Sequence, residues 1–139
     1  MSLVATQEGC SRLWSQVWGI TALGNPWVHL YGSSHTPAHT DTYSTYSAIE
    51  LSSGGGYAAQ QLTVPGTNWT IATVTAGAQA TYLTLTWTFT GAESVYGYWL
   101  GDSTNTYSLW AEQFAAAFLF PSTGGTFTLS LPPTLTSTP

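Results

Sequence analysis

Strict alternation of apolar residues with threonine marks residues 80–90 as a β-strand. Leu83, Leu85, Trp87 and Phe89 would lie on one side of an extended chain and four threonines on the other, because strand side chains point alternately to opposite faces. One face is then apolar, and the other is short, β-branched and uncharged. We expect the apolar face to pack inward and the threonine face to form a contact surface within an assembly.

Shorter runs of aromatic and β-branched residues, separated by Gly, Pro and Asn turns, predict further strands. They cover residues 27–31, 57–64, 69–74, 94–100, 107–113, 118–120 and 126–131. Residues 43–50 fit either a short strand or an irregular segment. Seven or eight short strands joined by frequent turns predict an all-β fold, a β-sandwich or jelly roll. The length suits a single domain spanning residues 1–139.

One short helix is predicted before the strands, over residues 6–18. Thr6 can act as the N-cap, and Glu8 lies in the first turn, where the helix dipole favours an acid. The residues that follow at helical spacing are Cys10, Leu13, Trp14, Val17 and Trp18. So large an apolar face must dock on the sheet or on another subunit.

The C-terminal end of the chain is predicted to leave the sheet. Pro132 and Pro133 follow the last alternating strand, and proline cannot donate a hydrogen bond to a sheet. We therefore expect residues 132–139 to form an extended edge segment or arm.

Charge is almost absent from the chain, and this excludes several classes of partner. Charged residues make up 5% of the sequence, against about a quarter in an average globular protein. Arg12 is the only Lys or Arg, so we expect no nucleic-acid partner and no polybasic membrane contact. No run approaches the ~18 apolar residues of a membrane-spanning helix. The first eight residues lack a basic region, so we expect no signal peptide.

A His-x-x-x-His-x-Asp motif is the nearest approach to a metal site. His35, His39 and Asp41 are residue types that bind Zn²⁺. However, Pro37 prevents the helical spacing that would bring both imidazoles to one face. We interpret the segment as a polar loop whose imidazoles face water, and we expect no metal and no other cofactor.

Paired carboxylates raise the alternative of a glycoside hydrolase. Asp102, Glu112 and Glu93 are the candidates. Asp102 is explained more simply as a turn residue that accepts backbone hydrogen bonds, and Glu112 as a strand residue paired with Arg12. Cys10 is interpreted as a small buried residue. We therefore expect no enzymatic activity and no catalytic residue.

Two surface chemistries stay open as alternatives. The seven tryptophans suggest stacking on glycans, although most occupy alternating positions typical of a core. The Thr-x-Thr-x-Thr pattern is similar to the flat threonine arrays of ice-binding proteins. Such arrays need several regular strands, and only one long threonine stretch is present.

A series of short segments between residues 27 and 131 carries a family resemblance. The weaker ones are Leu30-Tyr31, Thr36-Pro37, Asp41-Thr42, Ile49-Glu50, Gly56-Tyr57-Ala58, Trp69-Thr70, residues 87–90 and the Gly-Gly turn before the last strand. The most specific is Val95-Tyr96-Gly97-Tyr98, followed by a turn and residues 109–114, Leu-Trp-Ala-Glu-Gln-Phe. In this series the chain resembles small structural proteins of tailed bacteriophages. The Trp-rich N-terminal helix departs from the family pattern.

The resemblance implies a virion component with no catalytic residue. We expect a capsid decoration, or cement, protein that binds the outer capsid surface and stabilises the head by bridging capsid subunits. Its expected partners are the major capsid protein and further copies of itself, as a homo-oligomer and specifically a trimer. The alternatives are a tail or fibre component and a glycan-binding recognition module.

Uncharged surfaces suit such contacts, because burying Thr or Ser costs less desolvation energy than burying Lys or Glu. Protein interfaces are also depleted of Lys and Glu and enriched in Tyr and Trp. The residues expected to contact neighbours are Leu13, Trp14, Val17, Trp18, Thr84, Thr86, Thr88, Pro132, Pro133 and Leu135.

Overall fold

A computed structural model describes residues 3–17, 24–63, 69–74, 77–131 and 134–136. The elements, in chain order, are β1 (Leu3–Ala5), α1 (Gln7–Val17), β2 (Trp27–Tyr31), α2 (Tyr43–Ser47), β3 (Gln60–Gln61), β4 (Trp69–Val74), β5 (Gly77–Tyr82), β6 (Leu85–Phe89), β7 (Glu93–Gly101), β8 (Ser108–Phe120), β9 (Gly125–Leu129) and β10 (Thr134–Thr136). The predicted all-β class with a short N-terminal helix is confirmed, since 43% of the residues are in strands and 13% are in helices.

The described strands form three antiparallel sheets. The largest has the order β1-β8-β7-β2-β3, the second β10-β5-β4, and the third pairs β6 with β9. The structure describes ten strands, more than the seven or eight predicted, because the predicted strand 80–90 is divided between β5 and β6 and because β1 and β10 are pairings of three residues that leave no alternation in the sequence.

The main hydrophobic core lies between the five-stranded sheet and the β6–β9 pair, which gives the fold its sandwich-like character. Leu30 and Leu100 reach it from the large sheet, and Trp87, Phe89 and Phe127 reach it from the small one. Each of these side chains is almost completely buried. The inward apolar face predicted for the strand at residues 85–89 is therefore confirmed.

A second, smaller cluster covers the opposite face of the large sheet. It contains the buried side chains of Tyr31, Tyr46, Trp99 and Ala111. Tyr46 belongs to α2 and its ring stacks on Trp99, while Tyr43 meets the same indole edge-on. Strands β2 and β7 are thus buried on both faces, which explains why their sequences are apolar at nearly every position.

The single long strand predicted over residues 80–90 is wrong in one respect. The chain leaves β5 after Tyr82 and enters β6, in a different sheet, at Leu85. Leu83 and Thr84, which lie between the two strands, shift the alternation of buried and exposed side chains by one position. Tyr82 is consequently buried at 7% exposure and Leu83, predicted to face the core, is 62% exposed.

Other boundaries also differ from the prediction. Residues 43–47 form the helix α2, and within 57–63, the described part of the predicted strand 57–64, only residues 60–61 pair in a sheet. The Tyr57 side chain instead turns into the core, where its hydroxyl accepts a hydrogen bond from Leu30 N at 3.1 Å. The predicted strands 107–113 and 118–120 are joined as β8.

Candidate interaction surfaces

Helix α1 lies directly on β8. The predicted N-cap is confirmed, because Gly9 N donates to Thr6 Oγ1 at 3.0 Å. A Cβ atom at Gly9 would lie only 1.8 Å from Leu109 O, so the helix backbone touches the strand. Glu8 Oε2 accepts hydrogen bonds from Ser108 N at 2.8 Å and from Tyr43 N at 2.9 Å. The helix face against the sheet is therefore narrow and largely polar.

The two bulky apolar residues of α1 point away from this contact. Leu13 is 39% exposed and Trp14 is 63% exposed. This apolar face was predicted to dock either on the sheet of its own chain or on another subunit. Leu13 and Trp14 do not dock on the sheet, and their contact with another subunit stays a prediction. Val17 is the last helical residue and its side chain is outside the description, as is Trp18 altogether.

The threonine face predicted from β6 is exposed and is wider than the sequence indicated. Strand β9 runs beside β6, with Thr86 opposite Thr128 and Thr88 opposite Thr126. At the next step, the hydroxyls of Thr84 and Ser130 lie 3.4 Å apart. All six side chains are exposed. The result is a compact, two-strand surface of hydroxyl and methyl groups without charge, which we call the threonine face.

The C-terminal contact residues are only partly described. Pro132 and Pro133 lie outside the described residues. Leu135 belongs to β10, where its backbone is paired with Ala78 of β5 in the same chain. Residues 134–136 therefore form an edge strand of this domain, one of the two forms expected for the segment.

Asp102 organises the loop between β7 and β8, as predicted for a turn residue. Its carboxylate accepts hydrogen bonds from Thr106 N at 2.8 Å, Tyr107 N at 3.0 Å and Thr104 Oγ1 at 2.5 Å. Arg12 Nη2 lies 3.1 Å away. Burial alone would raise the pKa of Asp102, but these hydrogen bonds and the Arg12 charge hold it below its ordinary value.

The predicted pairing of Glu112 with Arg12 is wrong. Arg12 binds Asp102 instead, and its guanidinium also lies 4.1 Å from the centre of the Tyr107 ring. Glu112 Oε2 accepts a hydrogen bond from the Tyr98 hydroxyl at 2.8 Å. Burial, followed by this bond to Glu112, raises the pKa of Tyr98. Both carboxylates of the proposed hydrolase pair thus support the local fold.

His29 is the centre of a polar cluster that the sequence did not reveal. It is buried in β2, its ring is stacked on Trp99 at 4.1 Å, and its Nδ1 lies 2.8 Å from Glu50 Oε1. The same oxygen accepts the Tyr57 hydroxyl at 2.7 Å. Burial alone would raise the pKa of Glu50, and the bonds from His29 and Tyr57 lower it. His29 Nε2 lies 3.1 Å from Asn105 Oδ1. The signal in the sequence was His29 itself, a polar residue at the centre of the apolar strand 27–31.

The His-x-x-x-His-x-Asp motif forms a braced loop, in which His39 is exposed as predicted and His35 is partly buried. His35 Nε2 lies 2.8 Å from Asp41 Oδ2, which also accepts the Tyr46 hydroxyl at 3.0 Å. His39 turns away and contacts Ala5 O through Nδ1 at 3.0 Å. Within the described ranges, no group of three or more His, Cys, Asp or Glu residues is arranged to hold a metal ion.

An exposed apolar segment at the end of β8 was also missed. Residues 114–120, Phe-Ala-Ala-Ala-Phe-Leu-Phe, contain no polar residue. Phe118 is 49% exposed and Leu119 is 73% exposed. The signal in the sequence was the loss of alternation after Gln113, since a strand with one solvated face normally alternates. We call residues 114–120 the apolar edge.

Comparison with models of known protein families gives no match, and a search of curated proteins gives none either. Among the helical residues that the structure describes, none belongs to a segment long and apolar enough to span a membrane.

Proposed function

We propose that this protein is a virion structural protein, a capsid decoration protein that binds the outer capsid surface. It would stabilise the head by bridging neighbouring copies of the major capsid protein. The observation that carries the proposal is the threonine face, an exposed and uncharged surface built on two paired strands. The family resemblance of residues 27–131 supplies the virion context.

The energetics of the exposed groups support adhesion. Trp14 leaves 63% of its surface accessible, which is about 150 Å² for a side chain of this size. Covering that area would contribute about 4 kcal/mol before the cost of association is subtracted. Threonine hydroxyls need one hydrogen-bond partner each, so the threonine face can be buried at lower cost than a charged face.

Weak contacts of this kind are sufficient on a repeating surface. A subunit that touches two capsid proteins gains from a high effective concentration at the second site. The same holds if the protein binds as a homo-oligomer, for which a trimer remains the expected form. We place the working location of the protein on the capsid surface, without a cofactor and without catalytic chemistry.

Co-sedimentation with empty capsids of its own virus tests the proposal. Wild-type protein should bind at a fixed number of copies per capsid. The double variants Leu13→Ser/Trp14→Ser and Thr86→Lys/Thr88→Lys remove the two exposed surfaces. At least one of these double variants should weaken binding tenfold or more. The serines remove apolar area that the contact would bury, and the lysines would have to be desolvated at a buried contact.

Two matched controls make the result specific. Leu83→Ser replaces another exposed leucine, outside α1, and Thr81→Lys replaces an exposed threonine of β5. Both should bind as wild type does. Undiminished binding of both double variants, or failure of wild-type protein to sediment with capsids, would overturn the proposal.

A recognition module on a tail or fibre is the second candidate, and the exposure of Trp14 favours it. An indole on the protein surface can stack on a sugar ring. A glycan array distinguishes the two functions, because a decoration protein binds no glycan selectively. Selective binding that is lost in Trp14→Ala would support the recognition module instead.

A further inference from the structure

The outer edge of β8 is covered along only part of its length. Strand β1 pairs with β8 at Trp110, Ala111 and Glu112. Beyond Glu112, none of the described strands lies against this edge, although β8 continues to Phe120. The inner edge is paired with β7, with Val95 opposite Phe118. The apolar edge thus has one bonded side and one side without a described strand.

A bulge gives the apolar edge its shape. Val95 pairs with Phe118 and Gly97 pairs with Gln113, so four residues of β8 lie opposite a single residue of β7. Residues 114–117 are displaced from β7 in consequence, and Phe118–Phe120 form the regular part of the edge. A groove of about 330 Å³ beside the bulge is lined by Ala115–Ala117, Phe127 and Leu129, among others. The bulge therefore widens the exposed apolar surface.

Natural proteins usually protect such an edge with lysine, inward-pointing charges or proline. None of these is present between Gln113 and Phe120, and no residue after Glu112 carries a charged side chain. The bulge bends residues 114–117 away, so Phe118–Phe120 is the part of this apolar, uncharged edge that can act as a template for pairing with another extended chain.

We propose that the apolar edge is a self-association surface, through which two copies of this chain pair antiparallel across a two-fold axis. An antiparallel edge is complementary to an identical edge, because the same donors and acceptors meet in reverse order. The chain carries a net charge of −5, so two copies repel each other unless they meet where charge is absent. Residues 114–120 carry no charge themselves, and Glu93 borders them, since it lies opposite Phe120 in β7 and lines the same surface depression as Leu119 and Phe120.

The area involved sets the expected strength. Phe118 and Leu119 together leave roughly 200 Å² of mostly apolar surface per copy, given their exposed fractions of 49% and 73%. Two copies would bury at most about 400 Å² through these side chains, which point to opposite faces of the sheet, and this is well below the ~1,200 Å² of a stable specific complex. The dimer should therefore be weak in dilute solution and favoured where copies are crowded, as on a capsid.

The inference deepens the proposed function, since it names a surface at which copies of the proposed homo-oligomer meet. A two-fold pair differs from the expected trimer, and the trimer would require another surface. Capsid binding and self-association are measured separately. A monomeric wild-type protein that still binds capsids would contradict only the inference, and a dimer that does not bind capsids would contradict only the proposed function.

Sedimentation velocity and light scattering over micromolar to near-millimolar concentrations test the pairing. Wild-type protein should shift from monomer to dimer. Leu119→Lys should raise the dissociation constant at least tenfold, because it places a charge at the edge. Leu83→Lys is the matched control, since Leu83 is 62% exposed but lies outside the apolar edge, and it should associate as wild type does.

Several outcomes would overturn the proposal. They are a wild-type protein that stays monomeric throughout, or association, as a dimer or a trimer, that Leu119→Lys leaves intact. The neutral variant Leu119→Gln keeps the test valid if the lysine disturbs folding, which urea unfolding would reveal, and it too should weaken the dimer. Flotation with neutral phosphatidylcholine vesicles that Leu119→Gln abolishes, without dimerisation, would assign the edge to a lipid surface instead.

Discussion

Replacing Gly9 by alanine should destabilise the protein, although alanine is the better helix former. On an exposed helix this change gains about 1 kcal/mol. Here the new Cβ would lie 1.8 Å from Leu109 O, a backbone atom that cannot rotate away. Helix α1 would have to move by roughly 1 Å or more to restore ordinary contact.

The expected magnitude follows from the contacts that such a movement breaks. Thr6 N donates to Leu109 O at 3.2 Å and Ser108 N donates to Glu8 Oε2 at 2.8 Å. Each bond contributes about 1 kcal/mol, and forcing an extra methyl group into a close contact costs about 1–3 kcal/mol. After the gain in helix propensity, Gly9→Ala should lower the free energy of unfolding by about 2–4 kcal/mol.

Urea unfolding followed by tryptophan fluorescence measures this difference, with an unchanged m-value as evidence that the folded state is retained. Ser11→Ala is the control, because Ser11 is exposed on the same helix and the substitution should be neutral or slightly stabilising. If Gly9→Ala is as stable as wild type or more so, the helix does not rest on Leu109, and the outward position of Leu13 and Trp14 loses its basis.

Three further predictions concern acid stability and the small sheet. Asp41, Glu50 and Asp102 have lowered pKa values in the folded protein, so the unfolded chain binds more protons on acidification. The stability they contribute should be complete above about pH 5 and lost as the pH falls below about 4, which urea midpoints from neutral to acidic pH would show. Asp102→Asn should reduce the loss of stability on acidification. An unchanged dependence of stability on pH in this variant would contradict this role of Asp102. Phe127→Ala should cost about 3–5 kcal/mol in urea unfolding and the neighbouring Thr128→Ala less than about 0.5, whereas equal losses would contradict the register of β9.

The sequence predicted those elements that obey a single period. Strand 27–31 was identified with its observed bounds, and the N-cap at Thr6 was identified from local chemistry alone. Alternation also placed Trp87 and Phe89 in the core. These features depend on interactions between near neighbours in the chain, so the local pattern is informative.

The sequence was misleading where distant segments decide the outcome. Leu83 continues the alternation perfectly, yet the chain changes sheets beside it and leaves it exposed. Arg12 pairs with Asp102 rather than Glu112 because helix α1 packs near the β7–β8 loop, and no local sequence pattern predicts that packing. The width of the threonine face likewise depends on β9, which pairs with β6 from about 40 residues further along the chain.

Imaging of intact virions tests the central claim most directly. Cryo-electron microscopy of virions that carry this protein with a small label at an exposed position, such as Leu83, would locate every copy. We predict regular density on the outside of the head, with an uncharged surface of α1 or of β6 and β9 against the capsid. Absence of the label from purified virions, or its presence only on the tail, would contradict the assignment as a capsid decoration protein.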